Sequence, residues 1–252
     1  KWSGFSLLIT SIKAFMNPFV AMIIPALVAV AGGVLAMLWH PSHNARSLIQ
    51  HFAAGVVLAA LAVEVLPELG REHAPGWLLI GSFATGGVLM YLMKLWSIRL
   101  EAAAEHAPKN AQWNYGLLMA TFIDIAVDGF IIGAGFAANN ETGLILALGL
   151  SVELLFLGLS LVSETIKGWR VFFMTVLLGT VVLISTVGGN YLLTGASNLT
   201  ISAILAFGVA ALLYLVTDEL LVEAHTVEEK PVSTLWLFAG FMVFWSIQLM
   251  AS

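Results

Sequence analysis

The stretch FAAGVVLAALAVEVLPE, residues 52–68, decides the fold class. Twelve apolar or small residues run without a charge before Glu64. Glu68 follows four positions later. Extended back to about residue 49, the run reaches roughly the 20 residues that a helix needs to cross a bilayer. It is continuous rather than alternating, which predicts a helix and not a strand of a membrane barrel.

Composition extends that reading to the whole chain. Of 252 residues, 60% are hydrophobic and only 10% charged, against about 25% charged in a soluble domain. The mean hydropathy is +0.97. Too little charge is present to cover a water-facing surface, so disorder, collagen and a small disulfide scaffold are excluded. Cysteine is absent, which removes disulfides, thiolate metal sites and thiol catalysis. A net charge of −5 argues against a nucleic-acid partner, which needs a basic face.

Eight apolar runs are predicted to span: about 19–39, 49–68, 77–98, 114–137, 143–163, 170–192, 199–222 and 233–250. The breaks carry Pro41 and Asn44, Pro75 and Gly76, Pro108 and Asn110, then Asn139, Asn140 and Gly143. Gly168, Gly195 with Asn198, and Pro231 complete them. Together the spans make one polytopic membrane domain, 1–252, with the lipid bilayer as its surroundings. The stretch from Phe5 to Phe15 is too short to span and reads as interfacial. No small-residue cleavage site of a signal peptide precedes the first span, although the numbering starts at Lys1 without a methionine. The side with both termini holds Lys1, Lys13 and Arg71. The other side holds Arg46, Lys94, Arg99, Lys109, Lys167, Arg170 and Lys230. Cationic loops face the cytoplasm, so both termini are expected on the non-cytoplasmic side of a cell (inner) membrane.

A second stretch resembles the first. FGVAALLYLVTDELLVE (207–223) also begins with Phe and a small residue and ends in E-x-x-x-E, Glu219 and Glu223. The second and seventh spans of eight run in opposite directions, and inverted repeats of this kind build alternating access around a midplane site.

Nine of the fifteen acidic residues fall inside or at the ends of spans: Glu64, Glu68, Asp124, Asp128, Glu153, Glu164, Asp218, Glu219 and Glu223. All ten Lys and Arg are expected at helix ends or in loops. Salt bridges are therefore not expected to neutralise these acids, and an intramembrane carboxylate costs several kcal/mol. Such groups hold a proton, face water or bind a cation. Asp124 and Asp128 share one face of the fourth span, and Glu153 lies midway along the fifth. By depth the acids form an outer pair (Glu64, Glu68), a central trio (Asp124, Asp128, Glu153) and an inner cluster (Asp218, Glu219, Glu223), with His225 just beyond. This arrangement reads as a cation path. His40, His43, His51, His73 and His106 read as interface or loop residues. Gly129 and Gly133 form a G-x-x-x-G that admits a close helix neighbour. Small-residue faces of this kind permit a homodimer, and equally serve packing within one chain.

FAAGVVLAALAVEVLPE, DIAVDGFIIGAGFAA (124–138), ELLFLGLSLV (153–162) and DELLVEAH (218–225) resemble the ZIP (Zrt-, Irt-like protein) family of divalent metal transporters. The resemblance covers spans two to eight. It implies an all-α integral membrane fold of eight helices in a 3+2+3 inverted-repeat bundle. It also implies a divalent metal ion as the transported substrate, with no organic cofactor. The family carries H-N-x-P-E-G in span four. Here D-I-A-V-D-G stands there, so Asp124 replaces the histidine, Asp128 the glutamate, Ile125 the asparagine and Val127 the proline. In span five only Glu153 keeps a ligand. Leu154 and Leu157 stand for carboxylates and Phe156 for a proline, which implies loss of the family's second metal site and straighter helices. Asp218-Glu219 matches the family's His-Glu pair in span seven.

The resemblance thus implies that Asp124, Asp128 and Glu153 hold the ion. Glu64 and Glu68 would attract it, and Asp218, Glu219 and Glu223 would receive it. An all-oxygen set suits Mn, Mg or Ca and is tolerated by Fe(II), whereas zinc prefers imidazole and thiolate. The family leans back toward zinc, so Zn, Mn, Fe and Cd stay open. Two rival readings remain: a proton-coupled carrier of another small solute, and a metal-binding relative that no longer transports. An intramembrane metalloenzyme is not expected, because no H-E-x-x-H lies at mid-span.

Overall fold

Polar and turn-forming residues close off eight helices in a computed structural model that describes residues 17–38, 42–71, 74–105, 115–160, 168–224 and 231–251. They are α1 (Pro18–Leu38), α2 (43–71), α3 (Gly76–Glu105), α4 (Tyr115–Ala138), α5 (Asn140–Ser160), α6 (Trp169–Leu193), α7 (198–224) and α8 (Pro231–Ala251). No strand occurs among the described residues. All eight helices are long and apolar enough to cross a membrane, so the chain has the build of a multi-pass membrane protein. The stretch from Phe5 to Phe15, Glu164, His225 and His40, His73 and His106 lie outside the described residues, as do the side chains of His43, Glu219 and Glu223.

Two helices are composite. α2 runs as His43–Ala60, a π turn at Leu61–Val65 and a final α-helical Leu66–Arg71. α7 repeats this as Asn198–Leu215, a π turn at Val216–Leu220 and Leu221–Ala224. Each π turn lies 155 residues from the other. The same spacing separates the helix ends Leu38 and Leu193, the helix starts Gly76 and Pro231, and the caps Ser42 and Ser197. Ser42 Oγ accepts from the Ala45 amide at 3.3 Å, and Ser197 Oγ from the Thr200 amide at 3.2 Å. Each serine thereby satisfies one of the orphan donors of a helix start. Proline does not account for the π turns, since Pro67 after the first matches Val222 after the second. Both turns carry a glutamate at their fourth residue, Glu64 and Glu219.

Small residues set the packing. A Cβ on Gly129 would stand 2.6 Å from the Val182 carbonyl oxygen, and one on Gly133 would overlap that of Thr186. The G-x-x-x-G of α4 is therefore filled by the backbone of α6. Gly32 and Gly158 join α1 to α5 in the same manner, and Gly55 and Gly240 join α2 to α8. Helices α1, α4, α5 and α6 pack mainly on one another, while α2 pairs with α8 and α3 with α7. The two sets meet where α2 lies against α5 and α4 against α7. Helices α4 and α5 each run uninterrupted, and only Asn139 separates them.

Several helices overrun the ends that hydropathy predicts, and this corrects one expectation. α3 continues to Glu105, so Lys94 sits eleven residues inside its end and ion-pairs with Asp218 of α7 at 3.0 Å. α2 continues to Arg71, whose guanidinium donates to Glu68 Oε2 at 3.1 Å. Asp218 and Glu68, at least, therefore have cationic partners among the described residues.

Candidate metal centre

The central trio converges. Asp124 and Asp128 are one turn apart on α4 and so project from one face. Glu153 comes from α5, which the single-residue break at Asn139 folds back alongside α4. One carboxylate oxygen from each of the three lies within 4.8 Å of the other two. Asp128 and Glu153 are 3% and 4% exposed, and Asp124 is half-buried. Three negative charges at this separation repel by about 3.5 kcal/mol per pair at an effective dielectric near 20. Protons, hydrogen-bond donors or a cation can offset that repulsion. A hard or borderline divalent ion accepts carboxylate oxygens at roughly 2.0–2.6 Å, so oxygens this close can share one ion after small side-chain rotations.

Glu64 and Glu68 stand elsewhere, at the end of α2 against the α4–α5 turn. Thr142 Oγ1 donates to Glu64 Oε1 at 2.9 Å. Asn139 Nδ2 donates to Glu68 Oε1 at 2.7 Å, while Asn139 Oδ1 accepts from the Thr142 amide at 2.7 Å and caps α5. The sequence marked Asn139 only as a break. Its local signal was the N-cap pattern, Asn ahead of a helix carrying Glu141 in its first turn. Asp218 is half-buried and held by Lys94. Glu219 lies in the same π turn and Glu223 in the short helix beyond it. Glu64 and Glu68 therefore form a group of their own at the α4–α5 turn.

His51 also departs from its sequence reading. It is not a loop residue but sits within α2, 4% exposed, with Ser47 and Gln50 buried beside it. The apolar run of 52–63 conceals this, because the helix begins nine residues before the run does.

No family model matches the chain, and a search of curated proteins gives no significant match.

Proposed function

We propose that this protein transports divalent metal cations through a carboxylate-lined midplane site, in a ZIP-like 3+2+3 inverted-repeat bundle. The observation that carries the reading is the convergence of Asp124, Asp128 and Glu153 within 4.8 Å inside an apolar helix bundle. The inverted repeat is supported by the constant 155-residue offset between caps, helix ends and π turns. It is supported as well by the pairing of helices. An exchange of α1 with α6, α2 with α7, α3 with α8 and α4 with α5 leaves the main pairings unchanged. Units five spans apart in such a chain run in opposite directions.

The central ligands all belong to the set α1, α4, α5 and α6. Movement of that set against α2, α3, α7 and α8, by an elevator-like or rocking shift, would expose the site to each side in turn. Glu64 and Glu68 would draw the ion in on the non-cytoplasmic side, where the cation counts place both termini. Asp218, Glu219 and Glu223 would receive it on the cytoplasmic side of a cell membrane. Zn, Mn, Fe and Cd are the candidate substrates, and no catalysis is invoked.

The test is flux into proteoliposomes loaded with a metal-sensitive dye, with Zn2+, Mn2+, Fe2+ and Cd2+ offered in turn. Asp124→Asn/Asp128→Asn serves as the control. Flux that the control abolishes supports the reading. Metal bound without flux turns it into a non-transporting binder. Neither binding nor flux leaves the proton-coupled carrier of another solute.

A further inference from the structure

The α2 end opposite the chain termini holds three buried polar residues, Ser47, Gln50 and His51. His51 Nδ1 lies 2.8 Å from the Ser47 carbonyl oxygen. A carbonyl only accepts, so Nδ1 carries the proton. In the neutral ring the lone pair then resides on Nε2. Metal-bound imidazoles are commonly prepared in this way, by a backbone carbonyl that takes the other ring N–H and fixes tautomer and orientation.

The position of the ring is informative. Ala60 packs against Gly149, where a Cβ would stand 3.2 Å from its own. Glu153 is about one turn beyond Gly149 along α5, and His51 nine residues back from Ala60 along α2. At 1.5 Å per residue, His51 lies roughly 8 Å from the level of Glu153, toward the side opposite the termini. α2 packs there against the π turn and last turn of α7. That segment carries Asp218, Glu219 and Glu223.

The repeat offset sharpens the point. Ser47 corresponds to Ser202, and both are buried. His51 corresponds to Ala206, and Gln50 to Leu205. The imidazole thus sits in one half of the bundle only. The Gln50 amide nitrogen, in a side chain 2% exposed, has no hydrogen-bond partner among the described residues. A buried amide left in that state calls for a water or other ligand nearby.

We propose that His51 is the nitrogen ligand of a second metal station, specific for nitrogen-binding ions such as Zn2+ and Cd2+, on the side opposite the termini. This rests on the transport reading and adds to it. The carboxylate trio accepts hard and borderline ions alike, whereas a station with an imidazole favours those that bind nitrogen.

Cadmium-113 NMR of the purified full chain in detergent tests it. The wild-type protein should give two bound resonances, one of oxygen-only type and one with a nitrogen ligand. Asp124→Asn/Asp128→Asn should lose the first and keep the second. His51→Asn, whose amide can still donate to Ser47, should lose the second and keep the first, and His51→Gln should do the same. A wild-type protein with the oxygen-only signal alone overturns the His51 station and leaves the central site standing. The nitrogen-type signal alone overturns the central site instead. Retention of the nitrogen-type signal in both His51 variants, or loss of both signals in both variants while they stay monodisperse, also overturns the station.

Discussion

Asn139 donates its side-chain amide to Glu68 across 71 positions of sequence, at 2.7 Å, and so ties the turn between α4 and α5 to the end of α2. Thr142 and Glu64 make a parallel link one turn away. Both links cross between the two helix sets. They also occupy the carboxylates that the sequence points to as an entrance.

Asn139→Ala should loosen that junction. A hydrogen bond to a charged group is worth about 1.5–3 kcal/mol, which shifts a two-state equilibrium about tenfold or more. The chain has no cysteine, so Val65→Cys, at a buried position, gives a clean reporter. Its labelling by a membrane-impermeant maleimide should rise about tenfold in the Asn139→Ala background. Asn139→Ser should retain much of the α5 cap and still show the faster labelling. An unchanged rate in both would mean that the junction does not depend on this link.

Asp128→Asn and Glu153→Gln should each lower divalent metal affinity at least tenfold, measured by isothermal titration. Both remove charge without changing shape. In the absence of metal these variants should unfold at the same or a higher temperature than the wild type, because mutual repulsion within the trio is relieved. The stabilisation that bound metal gives to the native state should shrink or vanish. A metal-free variant much less stable than the wild type would argue that the trio is a structural network.

Gly133→Leu should destabilise the protein by about 1–3 kcal/mol or more, since added atoms meet the backbone of α6. Gly188→Ala is its contrast. Nothing lies within 4 Å of a Cβ there, and an alanine in a helix interior gains about 0.5–1 kcal/mol over glycine. Thermal unfolding in detergent should separate the two by sign.

Lys94→Met should change stability by no more than about 1 kcal/mol. The Lys94 and Asp218 side chains are each about a third exposed, at 37% and 32%, and pairs exposed to this degree are weak where water reaches them. A double-mutant cycle with Asp218→Asn should give a coupling energy in that range. A coupling of several kcal/mol would show that the pair is shielded by the bilayer.

Much of this architecture was legible in the residues. Runs such as 52–68 fix the number of helices because bilayer thickness sets a length. The i,i+4 spacing of Asp124 and Asp128 fixes a shared face because the helix repeat does. The meeting of Glu153 with that face is a matter of tertiary packing and depends on how tightly Asn139 turns the chain. Helix ends were less legible. Hydropathy stops at the last apolar residue, but a hydrogen-bonded backbone continues through His43 to Gln50 and through Arg99 to Glu105. Lys94 and His51 were therefore placed at edges when the structure has them inside helices. The π turns had no signal of their own, since LAVEV and VTDEL share little beyond a glutamate.

Those π turns have a further consequence. Each amounts to one extra residue wound into a helix, and one residue is about 100° of rotation. Each turn therefore acts as a phase shifter that sets the compass bearing of everything after it. Deleting Ala62 would leave the apolar length of α2 nearly intact. It would also swing Glu68 and Arg71 about a quarter-turn away from Asn139. The end of α2 is aimed by a count of residues, and no substitution can re-aim it the way a single deletion would.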